Sequence, residues 1–377
     1  MRAAVRGLLE RLLPGRRRKP FAAWQIELTT RCQLECSMCI RHGRDWRNGD
    51  MRLDDFAKLA PYLRQVETVV LQGWGEPLLH RNLVDAVRLA KGGGGSGPPG
   101  TPPSVGFVTS GKGMDRAYAA ELVDAGLDFL GFSLAGATAE THGAIRVHSD
   151  FGEVVDAAEH VRALRRERGL ERPRTHVAFL MMKQNIHEVP DLPELARRMG
   201  VEAVVLTSLV DVVDEWQDGQ RVFGCDGAEE HEEVLREAER RARERKVALT
   251  RPALSPTLTP VCAEDPLRNL FVGFQGDVSP CVYLGPPVAS DTFPRRFCGR
   301  EVEARRICFG NLFREPLEAI WARPEYVAFR ERFARRARRH RLLSAVGAAS
   351  RPGGGVSRAE LPEPPEPCRT CHKMLGV

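Results

Sequence analysis

Arg31-Cys32-Gln33-Leu34-Glu35-Cys36-Ser37-Met38-Cys39 sets three cysteines at the spacing C-x3-C-x2-C, just beyond a short apolar run from Trp24 to Thr30. Thiolates select soft or redox-active metals, and iron–sulfur clusters are held by cysteine. The count of three decides the reading. A cubane cluster held by three protein thiolates keeps one iron for another ligand, and an open coordination position separates a catalytic metal site from a structural one. On the cysteines alone, a zinc knuckle with a distant fourth ligand and three free thiols also stand open, so compartment bears on the choice.

The chain has 377 residues, 42% hydrophobic and 28% charged. That is a globular composition, long enough for one α/β domain of roughly 200–250 residues and a smaller second one. No apolar run approaches the ~20 residues needed to span a bilayer, so no membrane span is expected. Residues 1–20 form a basic N-terminal arm with Leu8, Leu9, Leu12 and Leu13 on one side. The arm has no continuous apolar core and no small-residue cleavage site. It is expected to be a short solvated helix, with contact to a partner or an anionic membrane as the alternative. Without an export signal, a reducing cytoplasm is expected, where clustered cysteines bind metal rather than form disulfides. The net charge of +6 is concentrated where arginines crowd Phe329 to Arg341. A solvated basic helix is expected there, with a polyanion contact as the alternative. No aromatic platform or recognisable module accompanies it, so nucleic acid is not an expected partner.

Extended and helical patterns then alternate. Strands are expected at Trp24–Leu28, Glu67–Gln72, Val105–Thr109, Leu127–Leu134, His176–Met182 and Val201–Leu206. Between them, helical spacing marks Leu53–Leu63 (disturbed by Pro61), Leu79–Val87, Asp115–Ala125, Phe151–Arg168 and Val189–Met199. Asp150 with Glu153 resembles a capping box for the fourth of these. Gly92 to Pro103 cannot bury apolar surface and is expected as a flexible excursion. Glu229–Lys246 is a long charged helix within a 226–259 connection.

Strict alternation argues for a parallel sheet with crossover helices. The expected fold is α/β, a partial (β/α)6 TIM-like barrel over residues 21–225. A doubly wound sheet is the alternative, and a small cysteine-rich α+β domain follows over 260–377. In either sheet, active residues sit at the C-terminal ends of strands. The cysteine loop, Gly73–Pro77, Thr109-Ser110-Gly111 and Ser133 all fall at such ends.

These residues resemble the radical S-adenosylmethionine (radical SAM) enzymes. The resemblance rests on LTTRCQLECSMC, Leu28 to Cys39, after the first strand, and on GWGEP, Gly73 to Pro77, after the second. It implies that Cys32, Cys36 and Cys39 hold a catalytic [4Fe–4S] cluster whose fourth iron is chelated by S-adenosylmethionine. It also implies reductive cleavage to a 5′-deoxyadenosyl radical that abstracts hydrogen from substrate. Cofactor contacts are expected from Gly73, Trp74, Gly75 and Glu76, with Glu76 accepting from the ammonium and the glycines allowing close approach. Ser133 is expected near the ribose or carboxylate, and Arg146 pairs with the carboxylate or, alternatively, with a surface partner. Met38 stands where relatives often stack an aromatic on adenine. Ser110 stands where they often have asparagine.

From about Pro260 the pattern becomes cysteine-rich. Cys262, Gly276 and Cys281 within FVGFQGDVSPC resemble the opening of the SPASM extension, with a hairpin of Phe271–Phe274 and Val278–Cys281. Cys262, Cys281, Cys368 and Cys371 together resemble the shortened twitch form, which implies an auxiliary [4Fe–4S] cluster. A structural zinc site is the alternative. Cys298 and Cys308 match no pattern and are expected as free thiols or exchangeable ligands. Cys225 stands alone. The basic insertion at about 329–366 is expected to include a mobile loop from Phe333 to Pro367.

The resemblance thus implies an enzyme acting on a peptide or protein, fed by an electron donor such as flavodoxin or ferredoxin. A twitch-type dehydrogenase of a small molecule is the alternative. A non-enzymatic metal-binding module contacting a polyanion is the second.

Overall fold

The computed structural model describes residues 19–42, 44–92, 101–227, 230–350 and 357–377, without the side chains of 346–350 and 358. The expected N-terminal helix and most of the Gly/Pro excursion lie outside the described residues.

Six parallel strands follow one another in space as in sequence: β1 (Phe21–Ile26), β2 (Val66–Val70), β3 (Ser104–Thr109), β4 (Phe129–Leu134), β5 (Arg174–Met181) and β6 (Ala203–Ser208). All six expected strands are present, shifted by a few residues. The sheet is larger than six strands and open: β7 (Ala248–Thr250) extends it beyond β6, and β8 (Asn269–Val272) pairs parallel with β1. β9 (Val278–Ser279) closes the expected hairpin antiparallel to β8 and forms the other edge. The sheet therefore runs straight across residue 260, and the cysteine-rich region begins as part of it.

One face of this sheet is apolar and covered by the crossover helices, while the other carries Gln25, Ser133 and Thr207 toward a cavity. Trp24, Ile26, Val69, Val105, Phe107, Phe132, Phe179 and Val204 are fully enclosed in the core. The helices start where their caps place them. Asp115 Oδ1 accepts from Tyr118 N at 2.8 Å, and Asp150 Oδ1 accepts from Glu153 N at 3.0 Å, opening Arg116–Asp124 and Phe151–Arg168. Pro61 splits its expected helix into Leu53–Ala57 and Ala60–Leu63, sitting in the first turn of the second.

Two elements differ from the sequence reading. β10 (Thr292–Phe297) and β11 (Arg300–Arg305) form a separate hairpin turned at Cys298-Gly299, both at positive φ. Positive φ at both turn residues matches the twist of a two-residue hairpin loop. The segment from Phe333 to Ser350 is not a loop but the continuation of one helix, Pro324–Ser350. Phe329 and Phe333 bury on one side of it, and Arg336 is drawn inward to the carbonyls of Thr259, Pro260 and Pro362. Those anchors are distant in sequence and therefore invisible to local pattern.

Candidate functional site

At the C-terminal ends of the strands a cavity of about 290 Å³ opens. Its wall contains all nine residues expected at the first site: Cys32, Cys36, Cys39, Gly73, Trp74, Gly75, Glu76, Ser133 and Arg146. The lining has three cysteines and no fourth.

The cysteine loop is pinned at both ends. Thr29 and Thr30 hydroxyls donate to Asp50 Oδ1 at 2.6 Å and to Arg47 O at 2.8 Å. Ser37 N donates to Ile145 O at 3.0 Å. Leu34, Cys36 and Met38 pack with Ala135, Met182 and Leu209 from the ends of later strands and with Ile145 at the end of a short helix. Burial pushes the Cys32 thiol up to about 11 and raises Cys39, against the lowering effect of backbone N–H groups of Leu34 and Arg41 directed at the two sulfurs. Burial thus opposes ionisation without a cation, while donors stand ready for a thiolate. That combination fits a metal cluster.

The Gly73–Pro77 loop is held by carboxylates. Glu76 turns both oxygens to protein donors, Thr109 Oγ1 at 2.6 Å, Ser110 N at 2.8 Å and Leu78 N at 3.2 Å. Its side chain braces this loop on the end of β3. A Cβ on Gly73 would lie 2.1 Å from Glu27 Oε1, and one on Gly75 would lie 2.4 Å from Thr29 O. Both glycines are therefore needed for close packing on the end of β1. Glu27 is wholly buried and accepts from Trp74 N at 2.8 Å. Burial pushes its carboxyl up to about 8, so it carries a proton at neutral pH.

Arg146 lies against the cavity beside Cys39, and its Nε is buried without a hydrogen-bond partner among the described residues. The same holds for Ser110 Oγ and Trp74 Nε1. Unpartnered buried polar atoms are costly unless something fills the space beside them. A cation, a hydroxyl and an indole N–H around three thiols suit a polar cofactor carrying a carboxylate. Ser133 and Met38 also reach the lining.

The second set, Cys262, Cys281, Cys368 and Cys371, is gathered from 110 positions of chain into one buried neighbourhood with no disulfide among them. Burial raises all four thiols, Cys281 to about 12, and Cys262, Cys281 and Cys368 each feel Cys371. Backbone N–H groups of Glu264, Tyr283, Leu284 and Lys373 point at these sulfurs. Zinc holds sulfur at ~2.3 Å and so draws its ligands within ~4 Å of one another. Among the described residues the three-ligand set lying within 4.8 Å is Cys225, Cys298 and His372, not this quartet. Four buried thiols with backbone donors directed at them are a donor set that suits an iron–sulfur cluster.

Two residues missed from sequence join the sites. Glu264 and Tyr283 each follow a cysteine of the second set by two positions, yet both line the first cavity. Tyr283 meets Trp74 edge-on at 5.8 Å between ring centres. The signal was the i+2 spacing from a ligand, which means nothing until the second set is folded over the sheet.

Cys225 and Cys298, expected as free or ligating thiols, are joined in a disulfide, while Cys308 is free and exposed. The Cys298-Gly299 turn carries its sulfur to Cys225, an approach across 73 positions that sequence spacing does not reveal. No described helix is long and apolar enough to cross a membrane.

Residues 26–196 match the model of the radical SAM superfamily, and 262–343 match that of the SPASM iron–sulfur cluster-binding domain. The chain is 25% identical over 308 residues to a tungsten-containing aldehyde ferredoxin oxidoreductase cofactor-modifying protein of Pyrococcus furiosus, covering 81% of this chain and 82% of the relative. A GTP 3',8-cyclase of Chlorobaculum tepidum is 30% identical over 141 residues, 37% of this chain and 40% of that one. In fold, Streptococcus suis SuiB bound to S-adenosylmethionine superposes with a TM-score of 0.59 at 13% identity, covering 82% of this chain and 68% of that one. The protein anSMEcpe with bound AdoMet gives 0.56 at 14% identity, covering 82% and 83%.

Proposed function

Because this chain belongs to the radical SAM superfamily and carries a SPASM domain, we propose that it is an enzyme abstracting hydrogen from a peptide or protein substrate. One observation carries the reading: three cysteines with no fourth share a cavity wall with the Gly73–Glu76 loop and the unpartnered Arg146 Nε. A [4Fe–4S] cluster with bound S-adenosylmethionine would supply the radical chemistry by one-electron reduction of the sulfonium.

The chain's own residues do the rest. Cys32, Cys36 and Cys39 would hold the cluster from the cavity wall, where the lining has no fourth cysteine. Arg146 orients the cofactor carboxylate through a charge-assisted contact. Glu76 acts as a positioning residue, fixing the loop whose backbone borders the cofactor. Ser133 and Ser110 offer hydroxyls, and Met38 offers an adaptable apolar contact for the base. Cys262, Cys281, Cys368 and Cys371 close the auxiliary cluster, which suits electron transfer or shaping of the substrate site. Glu264 and Tyr283 face substrate between the two centres, where exclusion of water strengthens their polar contacts.

A second reading, a small-molecule substrate, is favoured by the similarity to the relative from Pyrococcus furiosus, a cofactor-modifying protein. Anaerobic loading with iron and sulfide, followed by assay of reductant-dependent 5′-deoxyadenosine formation, tests the enzyme reading. Protein that carries only zinc and forms none would sink it. Candidate peptides encoded beside the gene, deuterated at carbon, then separate the substrate classes. Transfer of deuterium into 5′-deoxyadenosine together with a mass change in the peptide supports the first reading; turnover with small molecules alone overturns it.

A further inference from the structure

We propose that Cys225, Cys298 and His372 form a zinc site when the Cys225–Cys298 disulfide is reduced. The ligand atoms of the three lie within 4.8 Å of one another, a closeness that neither cluster set reaches among the described residues. They converge from three separate places. Cys225 lies in the connection after β6, Cys298 in the turn of the β10–β11 hairpin, and His372 in the C-terminal segment next to Cys371.

His372 supplies the observation that points to a ligand. Its ring is fully buried between Phe223 and Phe297, and Nδ1 lies 3.0 Å from the carbonyl of Val210. A carbonyl only accepts, so Nδ1 must carry the proton and Nε2 presents its lone pair. That Nε2 is buried and has no hydrogen-bond partner among the described residues. The disulfide beside it has no hydrogen to donate, so the lone pair gains nothing from it. An imidazole whose far nitrogen donates to a backbone carbonyl is the usual arrangement of a metal-ligating histidine. Two thiolates and one imidazole form a soft donor set that zinc accepts, with the fourth position left to water. Arg221 Nη1, 3.9 Å from Cys225 Sγ, favours the thiolate form of that residue.

The steps balance with a phosphine as reductant. The S–S bond breaks, the phosphine takes oxygen from water to become its oxide, and two thiols form. Zinc then binds and two protons leave. The neutral Zn(Cys)2 unit keeps the hairpin joined to the sheet half after the covalent link has gone. It lies beside Cys371 but uses none of the seven cysteines assigned to clusters.

The test uses the full chain with its clusters already loaded, freed of loose metal and handled without oxygen. Zinc chloride is added before and after phosphine treatment, excess is removed, and bound zinc is counted by mass spectrometry. Alkylation in the same samples gives the fraction of Cys225 and Cys298 that is free. Zinc should rise to one equivalent in step with that fraction and be absent from disulfide-bonded protein, a comparison that needs no variant. The C225S/C298S double variant should lose the zinc, and His372→Gln should weaken binding at least tenfold. X-ray absorption at the zinc edge should show two sulfurs at ~2.3 Å and nitrogen at ~2.0 Å. Reduction without gain of zinc, or equal zinc in the double variant, overturns the site. Unchanged affinity in His372→Gln overturns the ligand set. Each result is independent of whether the enzyme cleaves S-adenosylmethionine.

Discussion

The two cysteine sets differ in what surrounds their sulfur. The first stands at the wall of a 290 Å³ cavity that Arg146, Ser110 and Trp74 also line. The second lies in the packed interior, where Cys262 and Cys368 join the main apolar core and backbone N–H groups cover the sulfurs. Burial raises the Cys32 and Cys39 thiols in the first and all four thiols in the second. What separates them is the ligand count and the vacant volume. An incomplete ligand set facing a cavity can bind a reactant, whereas a complete set in packed surroundings passes electrons or shapes its neighbours. Trp74 against Tyr283 is where the two environments touch.

The sharpest way to break this contrast is the triple change Cys32/Cys36/Cys39→Ala. It should abolish 5′-deoxyadenosine formation while leaving about four irons per chain in the auxiliary set. Loss of all iron, read by metal analysis, would show that the sets are not independent.

Next in size is the join between the regions. Asp211 bridges Arg44 and Arg295, with side chains only 1% exposed and contacts of 3.1–3.3 Å. Phe293 lies under both guanidinium groups. Asp211→Ala leaves two buried cations unpaired and should cost about 3–5 kcal/mol, seen as a lower denaturation midpoint. A midpoint unchanged from wild type would mean that the hairpin contributes little to docking.

Glu27 stands on the open side of the contrast. Its folded pKa is raised to about 8 from 4.5, chiefly by burial. Below pH 4.5 the folded and unfolded chains both carry the proton. Between 4.5 and 8 only the folded chain does, so stability falls as pH rises across that window, by about 5 kcal/mol at most. Glu27→Gln should flatten that part of the stability-versus-pH curve, measured by denaturant titration at pH 5 and pH 8. An identical slope in the variant would place the proton elsewhere.

The smallest effect expected is Glu76→Gln, which turns an amide toward the Ser110 N–H or gives up a charged acceptor. A loss of about 1–3 kcal/mol in anchoring the loop should appear as weaker S-adenosylmethionine binding with both clusters intact. Unaltered binding would mean that the loop holds its shape without this brace.

Much of the first site was legible because its residues are local. Cys32, Cys36 and Cys39 are close in sequence, and the Gly73–Pro77 loop sits at the end of a strand that β-branched residues announce. What local pattern did not show was support: Glu76 and the two glycines line the cavity and are also fitted against the ends of β3 and β1. Side-chain aim depends on neighbours from other strands. The second set was legible as cysteines but not as surroundings, since Glu264 and Tyr283 gain their place only when β8 pairs with β1.

By itself the sequence determined the order of strands, the helix starts at Asp115 and Asp150, and the three-cysteine loop. Periodicity, capping and short spacings act within a few residues, so the chain carries them openly. Only the tertiary structure decided the nine-stranded sheet, the cavity shared by both regions, the long Pro324–Ser350 helix and the meeting of Cys225 with Cys298 and His372. Each depends on burial of surfaces far apart in sequence, and burial is a property of the packed whole.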